Sequence, residues 1–358
     1  MIRAGVWNLD EIRITDGTIE IQGWALPPGG DHHRSSFTIN DVEFEDVEYP
    51  AAQGRSDLES IFWYVPDAKS GGFRCRMKNI SNGNFTDGSL VIKFVEKRSL
   101  SPHNSNHNYH YRTNMNQIPL PEPHRRLKVH GSDHLDSFLI EGYTSYKKIE
   151  KALFEISGKT YDDFSAILDW GCGCGRMTRY FSDLKNARVT GIDIDEDNVA
   201  WCRKNLRFGD FRTVPLSPPT ALEPACFDVV IGISVFTHLK EKDQFGWLQE
   251  LSRLAKPGAF LFMTVHGELT VSRAGIHHSS YKRLRDSGFL DSGPNRNLDS
   301  VMGENDFYRD TFHTHSYIHE EWSLFFDILK IVPGTIGNHQ DLIVMQKRRN
   351  PSRVETYP

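Results

Sequence analysis

One ten-residue stretch constrains the fold of this chain more than any other. Ile167-Leu-Asp-Trp-Gly-Cys-Gly-Cys-Gly-Arg176 runs from an apolar segment through an acidic residue into three alternating glycines. This pattern is typical of a buried strand that ends in a ligand-binding loop, because glycine lets the backbone approach a ligand closely. The dinucleotide fingerprint needs glycine or alanine at position 176, and a Walker loop needs Gly-Lys followed by Ser or Thr. Arg176 satisfies neither pattern, so both interpretations fail.

Around this loop, apolar segments of strand length alternate with amphipathic segments of helix length. Helices are predicted over 135–156, 196–206 and 243–255, and strands over 166–169, 188–193, 227–233, 259–265, 326–332 and 340–346. Strands that alternate with helices predict a mostly parallel sheet that is covered by helices on both faces.

The glycine loop and three later segments resemble the class I S-adenosylmethionine-dependent methyltransferase family. The matching segments are Asp169-x-Gly171-x-Gly173-x-Gly175, the strand end at Asp193, residues 227–236 and residues 254–262. The resemblance implies an α/β fold, a Rossmann-like doubly wound sheet of seven strands, with S-adenosyl-L-methionine as the cofactor. It leaves the first 130 residues outside the family pattern.

The resemblance also implies a set of cofactor-binding residues. In that family the first acidic residue and the glycine loop hold the methionine part of the cofactor, and the second acidic residue binds both ribose hydroxyls. A carboxylate can accept both bonds, each contributing roughly 1.5–3 kcal/mol. Arg176 could contact the cofactor carboxylate or could lie at the surface, and the sequence does not distinguish these two roles. The implied residues are Asp169, Gly171, Cys172, Gly173, Gly175, Arg176, Asp193, Ile194 and Ser234.

Two histidines on the predicted binding rim are candidate general bases. His238 follows the fourth strand and His266 ends the fifth. A neutral imidazole suits proton removal from a hydroxyl acceptor, whose pKa lies far above 7. The alternative for each histidine is a packing or hydrogen-bonding role.

No metal site is predicted, although histidines recur elsewhere in the chain. Those at 103, 107, 110 and 124 have no cysteine or carboxylate beside them at ligand spacing. His313 and His315 would share one face of an extended segment, which leaves a metal site there open without favouring it.

The N-terminal part of the chain has the period-two pattern of short strands. Segments 11–15, 18–24, 36–40, 61–65, 72–77 and 90–95 are separated by turn signals such as Asp16-Gly17, which predicts a small all-β sandwich domain over residues 1–98. Residues 99–132 predict a linker, and residues 133–350 the methyltransferase domain, with an insertion at 268–312.

Aromatic residues of this N-terminal part suit either a sandwich core or a platform that stacks on sugar rings. Period-two placement favours the core for most of them. Phe62, Trp63 and Tyr64 are consecutive, so at least one of them must face away from a single core.

Composition narrows the partners and the location. A net charge of −5, from 42 basic and 47 acidic residues, argues against electrostatic binding of nucleic acid phosphates by the chain as a whole. The first residues do not resemble a signal peptide, and the apolar runs 229–236 and 259–265 are too short for a membrane span. Five cysteines, an odd and small number, indicate reduced thiols. We therefore expect a cytoplasmic protein with no nucleic acid partner.

The acceptor of the methyl group is constrained only indirectly. Family members that methylate base amino groups resemble one another in an [Asn/Asp]-Pro-Pro-aromatic motif, and this chain has Ile233-Ser-Val-Phe236 instead. Bacterial surface-glycan methyltransferases resemble this chain in joining a β-rich domain to the class I core. We hypothesise O-methylation of a sugar or glycoconjugate by direct displacement at the sulfonium methyl. The alternatives are N- or O-methylation of a small metabolite, with 268–312 as a lid, and a non-catalytic glycan-binding scaffold.

Overall fold

The computed structural model describes residues 5–78, 88–112, 118–273, 278–295 and 308–349, with the side chains of 272 and 273 left out. Parts of three predicted segments lie outside the described residues: 1–4 and 79–87 of the sandwich domain, 113–117 of the linker, and 274–277 and 296–307 of the insertion. Residue 350 also lies outside them. Within the described ranges, none of the helices combines the length and apolarity needed to cross a lipid bilayer.

Two four-stranded antiparallel sheets form the N-terminal part of the fold. The first has the order β1-β2-β6-β5, and the second has the order β4-β3-β7-β8. The strands are β1 Val6–Thr15, β2 Thr18–Leu26, β3 Ser35–Ile39, β4 Val42–Glu43, β5 Asp46–Glu48, β6 Gly72–Met77, β7 Ser89–Glu96 and β8 Tyr109–Arg112.

Aromatic side chains from both sheets meet in one core. Trp7 and Phe73 of the first sheet pack against Phe37 of the second, with ring centroids 5.8 and 4.0 Å from that of Phe37. Phe94 stacks on Phe37 at 5.1 Å. The two sheets therefore pack face to face, as expected of a sandwich.

The strand predicted over 61–65 is wrong. Residues Ser56–Ile61 form helix α1, whose first turn carries acidic side chains that favour a helix N-terminus. Phe62, just after it, is buried against Trp24 with ring centroids 5.2 Å apart. Trp63 and Tyr64 are 80% and 40% exposed, which confirms that at least one of these three aromatics faces away from the core. The burial of Trp24 by Phe62 is a tertiary contact, which the period-two pattern of the sequence cannot predict.

A seven-stranded sheet forms the second part of the fold, in the order β11-β10-β9-β12-β13-β17-β16. Neighbouring strands from β11 to β13 are parallel, and β17 runs antiparallel between β13 and β16. The expected seven-stranded α/β sheet is confirmed. Its strands are β9 Ala166–Trp170, β10 Arg188–Asp193, β11 Gly209–Thr213, β12 Phe227–Gly232, β13 Ala255–Val265, β16 Asp327–Ile336 and β17 Gln340–Gln346; β14 Phe289–Pro294 and β15 Arg309–His313 form a separate two-stranded sheet.

Helices cover both faces of the large sheet. Ile167 of β9 belongs to the same core cluster as Ile149 of α3. Its neighbour Leu168 joins Leu248 of α5 in the cluster on the other face. The helices after α1 are α2 Pro123–His130, α3 Leu135–Ser157, α4 Glu196–Asn205, α5 Glu241–Leu254, α6 Glu268–Arg273, α7 His278–Ser287 and α8 His315–Glu321.

The segment predicted as a linker contains ordered elements that join the two parts. β8 is an edge strand of the second N-terminal sheet, and its neighbourhood packs on α3: His110 N–H donates to Thr144 Oγ1 at 2.8 Å. Helix α2 begins with Pro123 at its N-terminus and ends at Gly131, which has φ +74°. Proline at a helix start and glycine at its end are signals that the sequence does carry.

Candidate active site

A cavity of about 770 Å³ opens at the carboxyl ends of β9, β10 and β12. At this edge the strand order reverses on either side of β9, which is where open α/β sheets bind ligands. Nine of the eleven predicted site residues line it: Asp169, Gly171, Cys172, Gly173, Arg176, Asp193, Ile194, Ser234 and His238. Gly175 and His266 do not belong to the lining.

The glycine loop is shaped by packing as well as by access for a ligand. Gly173 has φ +52°, and a Cβ there would lie 2.8 Å from a methyl group of Val129 in α2. Gly175 has φ +75°, and its Cβ would lie 2.4 Å from Leu206 Cδ1 behind the loop. Gly175 therefore lets the chain beyond α4 approach the loop closely, which explains why it does not face the cavity.

Asp169, the acidic residue near the end of β9, has a raised pKa. Asp169 is 4% exposed, and burial raises the pKa of its carboxyl to about 6. Thr178 Oγ1 donates a hydrogen bond to its Oδ2 at 2.5 Å, which partly opposes that shift. Asp169 thus lines the cavity with one of its carboxyl oxygens held by Thr178.

The second acidic residue organises the backbone around it. Asp193 Oδ2 accepts a hydrogen bond from Gly173 N–H at 2.7 Å, and its Oδ1 accepts one from Asp195 N–H at 2.9 Å. Burial raises the pKa of this carboxyl, whereas the two amides oppose that shift. Each carboxylate oxygen has further lone pairs beyond these bonds, so the group can still accept hydrogen bonds from a pair of hydroxyls.

Ser234 closes the cavity at the end of β12. It has φ +58°, and its N–H donates to Thr264 Oγ1 at 2.7 Å. Its hydroxyl exchanges hydrogen bonds with the Gln340 side chain, at 3.1 Å to Oε1 and 2.9 Å to Nε2. The start of β17 is therefore tied to the strand end that faces the cavity.

His238 lies on the cavity in a defined tautomer. Its Nδ1 lies 2.9 Å from the Arg309 carbonyl oxygen, which can only accept, so Nδ1 carries the proton and Nε2 carries a lone pair. Burial lowers the pKa of the ring, which keeps it neutral near pH 7. Tyr308 packs edge-on against it at 5.6 Å.

His266 lies behind the cavity wall, away from the predicted rim. Its backbone bridges Phe312 and its ring packs against that side chain at 5.3 Å. Burial and the neighbouring His339, His238 and His313 lower its pKa to about 3. A general-base role for His266 stays a prediction that this position does not favour.

Helix α2, which lies in the segment predicted as a linker, packs against the glycine loop through Val129. Lys128 Nζ lies 2.5 Å from Asp195 Oδ2, and His130 Nδ1 lies 3.2 Å from Arg176 Nη1. Burial and the adjacent guanidinium lower the pKa of His130 to about 3. Arg176 lines the cavity beside this helix, so its side chain is partly held by a protein neighbour.

Strand β1 and the β16–β17 turn supply lining residues that sequence reasoning missed. Asn8, Leu9 and Asp10 come from β1, Gly337 and His339 from the turn, and Gln340 from the start of β17. No local signal marks these residues as functional, because they reach the cavity only through the packing of the two parts of the fold.

His313 and His315 do not share one face, so that prediction is wrong. β15 ends at His313 and α8 begins at His315, so the segment turns between them. His313 Nε2 bonds with Gln244 Oε1 at 2.8 Å, whereas His315 Nε2 bonds with Asp341 Oδ2 at 2.7 Å. Across the described residues, no three or more His, Cys, Asp or Glu side chains are grouped so that they could hold a metal ion.

The comparison with known protein families decides the identity of this part of the chain. Residues 167–258 match a family model described as a methyltransferase domain. This segment is a methyltransferase domain. The match includes the glycine loop, Asp193 and β12.

Individual relatives are similar over limited lengths. Sterol methyltransferase-like 2 of Botryococcus braunii is 32% identical over 106 residues, which is 26% of this chain and 25% of that protein. Malonyl-[acyl-carrier protein] O-methyltransferase of Porphyromonas gingivalis is 24% identical over 127 residues, 34% of this chain and 48% of that protein. The chain thus spans about half or less of these curated relatives. A solved S-adenosylmethionine-dependent methyltransferase from Methanosarcina mazei aligns with 55% of this chain and 98% of its own, at 20% identity and a TM-score of 0.41.

Proposed function

We propose that this protein transfers a methyl group from S-adenosylmethionine to a hydroxyl oxygen of a sugar or glycoconjugate. The observation that carries the proposal is His238, a neutral imidazole on the cavity whose Nδ1–H is committed to the Arg309 carbonyl. Its Nε2 is therefore the basic nitrogen, as a general base for a hydroxyl acceptor requires.

The residues at the other end of the cavity fit the cofactor. The glycine loop provides close backbone approach, Asp169 would face the methionine part, and Asp193 would accept hydrogen bonds from both ribose hydroxyls. A cavity of about 770 Å³ is within the usual range for small-molecule sites. When bound, S-adenosylmethionine supplies an electrophilic methyl group on a sulfonium sulfur.

The role of His238 follows from the balance of the displacement. Its Nε2 would take the proton of the acceptor hydroxyl, and bound S-adenosylmethionine would supply the methyl carbon to that oxygen, with the electron pair of the carbon–sulfur bond remaining on sulfur. The imidazolium then returns the proton to solvent. Burial lowers the pKa of His238, so its neutral form is ready at pH 7, and the Arg309 carbonyl stabilises the charged form that arises.

The character of the cavity wall supports a hydroxyl-rich acceptor. Outside the predicted cofactor residues, the wall carries short polar side chains that can bond hydroxyls. They include Asn8, Ser132, Ser137, Asn295, His339 and Gln340. One curated relative is named as an O-methyltransferase, which supports oxygen as the receiving atom. We also propose that the sandwich holds the acceptor and that the protein acts in the cytoplasm, where its five free cysteines would stay reduced.

A second candidate is methylation of a small metabolite in a pocket that the insertion covers. Asn295 and Tyr308, both from the insertion, line the cavity. Residues of a covering segment commonly shape a small pocket and exclude water. Under this alternative, a small alcohol or amine would be methylated and carbohydrate would not.

Methyl transfer from labelled cofactor tests the proposal. Purified protein is incubated with S-adenosylmethionine labelled in the methyl group and with panels of saccharides, small alcohols and amines, and label in each product is counted. We expect label in a saccharide with the wild type and little with His238→Asn, since asparagine can keep the bond to the Arg309 carbonyl but lacks Nε2. Label only in a small amine or peptide would refute the proposal, and cofactor binding without transfer to any acceptor would favour the scaffold.

A further inference from the structure

Strand β1 reaches the cavity through an irregularity in its pairing with β2. Leu9 pairs with Gly23 and Glu11 pairs with Gln22, so Asp10 is the extra residue of a β-bulge. Bulges re-aim side chains and frequently lie next to active sites. Gly23 accommodates this one, because a Cβ there would lie 2.1 Å from the Asn8 carbonyl oxygen. Asn8, Leu9 and Asp10 all line the cavity that His238 and the glycine loop share.

Hydrogen bonds hold the bulge in place. Asn8 Oδ1 accepts from the Tyr109 hydroxyl at 2.9 Å, and the same hydroxyl oxygen accepts from Leu9 N–H at 3.3 Å. Tyr109 belongs to the opposite sheet of the sandwich. The bulge is therefore a preformed surface with a fixed backbone, as a binding site needs.

The bulge is also tied to the β16–β17 turn. Asn338 Nδ2 donates to the Trp7 carbonyl oxygen at 2.9 Å. Lys148 Nζ, buried beneath the turn, donates to the Thr335 carbonyl at 2.6 Å and to Asn338 Oδ1 at 3.0 Å. Since His339 and Gln340 follow directly and line the cavity, β1 and the turn form one continuous wall.

The charges at this wall sum to a negative value. Asp10 pairs with Arg55 at 2.5 Å, but Arg55 also bonds both carboxylate oxygens of Asp57, at 2.8 and 2.7 Å, so the group keeps a net negative charge. Glu141 of α3 adds another carboxylate to the cavity lining, besides Asp10 and those at the glycine loop.

The cations of the described lining belong to the cofactor end. Lys128 is paired with Asp195, and Arg176 lies beside His130 over the glycine loop. An anionic acceptor at the wall formed by β1 and the β16–β17 turn would need a positive charge beside it, and neither Lys128 nor Arg176 supplies one there.

We infer that β1 forms part of the acceptor site and that Asp10 selects an uncharged, hydroxyl-rich acceptor over an anionic one such as a uronic acid or a phosphorylated sugar. The inference rests on the proposed function and adds the substrate class. A carboxylate accepts strong hydrogen bonds from hydroxyls and repels a second carboxylate or a phosphate.

The test replaces Asp10 with its uncharged isostere. Asp10→Asn leaves Arg55 paired with Asp57, and the matched control is Asp16→Asn, an exposed residue of the β1–β2 turn whose φ of +48° asparagine tolerates. The probes are a neutral oligosaccharide and its uronic acid counterpart, measured by kcat/KM for methyl transfer and by calorimetric binding to protein loaded with S-adenosylhomocysteine. Equal melting temperatures of the variants establish that each is folded.

We expect Asp10→Asn to lower kcat/KM for the neutral acceptor about tenfold, the loss of one charge-assisted bond, and to reduce its preference over the uronic acid by a similar factor. The control should match the wild type within about twofold. Equal values for Asp10→Asn and Asp16→Asn would overturn the inference and leave the proposed function standing. Binding of the neutral saccharide that depends on Asp10, without methyl transfer, would support the inference and overturn the proposed function. Absence of saccharide binding and transfer would overturn both.

Discussion

Asp193→Ala provides the most direct test of the proposed cofactor site. The carboxylate lies on the cavity at the end of β10, and both of its oxygens are held by backbone amides of Gly173 and Asp195. Its orientation is thus fixed before any ligand arrives, which reduces the entropic cost of binding. Alanine removes the carboxylate without adding bulk.

The expected loss follows from the hydrogen bonds that a ribose would make. Two hydroxyls donating to a carboxylate contribute roughly 1.5–3 kcal/mol each, so their loss weakens binding by about 3–6 kcal/mol, or about a hundredfold to ten-thousandfold. The variant also leaves two amides without their partner, which would cost about 1–3 kcal/mol of stability each if water could not replace it. Asp193 is only partly buried, so we expect the smaller part of that cost.

Calorimetric titration with S-adenosylhomocysteine measures the loss, with Asp210→Asn as the control. Asp210 is an exposed carboxylate on the neighbouring strand β11 that pairs with Arg212 at 2.7 Å. We expect the control to bind like the wild type. A folded Asp193→Ala protein whose Kd rises less than about fivefold would refute this assignment of the ribose site.

Two further predictions concern buried bases. Because burial lowers the pKa of His238 below its usual 6.5, kcat/KM should be constant near neutral pH and should fall only when acid protonates Nε2. His238→Asn should lower the rate about 10²- to 10⁴-fold and should abolish this decrease of kcat/KM in acid. A pH profile of the variant that matches the wild type would contradict the role of His238 as general base. Burial lowers the pKa of Lys148 from 10.5 to about 7, so between these pH values the unfolded state binds more protons than the folded state. The free energy of unfolding of the wild type, measured in urea at pH 7 to 9, should therefore rise relative to that of Lys148→Met by about 1.4 kcal/mol per pH unit. A difference between the two proteins that does not change with pH would contradict the lowered pKa of Lys148.

Local sequence patterns alone predict the α/β sheet and one end of the cavity. Apolar runs followed by acidic and glycine residues are local patterns, and parallel strands bring their carboxyl ends to one edge, so Asp169, Gly173 and Asp193 could be placed together without coordinates. The strands of the sandwich also follow from a local period-two pattern. The exception is the segment around Phe62, where the burial of Trp24 against Phe62 overrides the pattern.

The rest of the site depends on contacts between distant parts of the folded chain. Asp10 and His339 stand 329 positions apart in a chain of 358 residues, and they line one cavity because Asn338 and Lys148 join the β16–β17 turn to β1 and α3. His238 and His266 looked alike in sequence, yet His238 lines the cavity, whereas His266, whose backbone bridges to Phe312 of β15, does not belong to the lining. Long-range hydrogen bonds and burial select among residues that local pattern treats as equal, because they depend on contacts that sequence spacing does not encode.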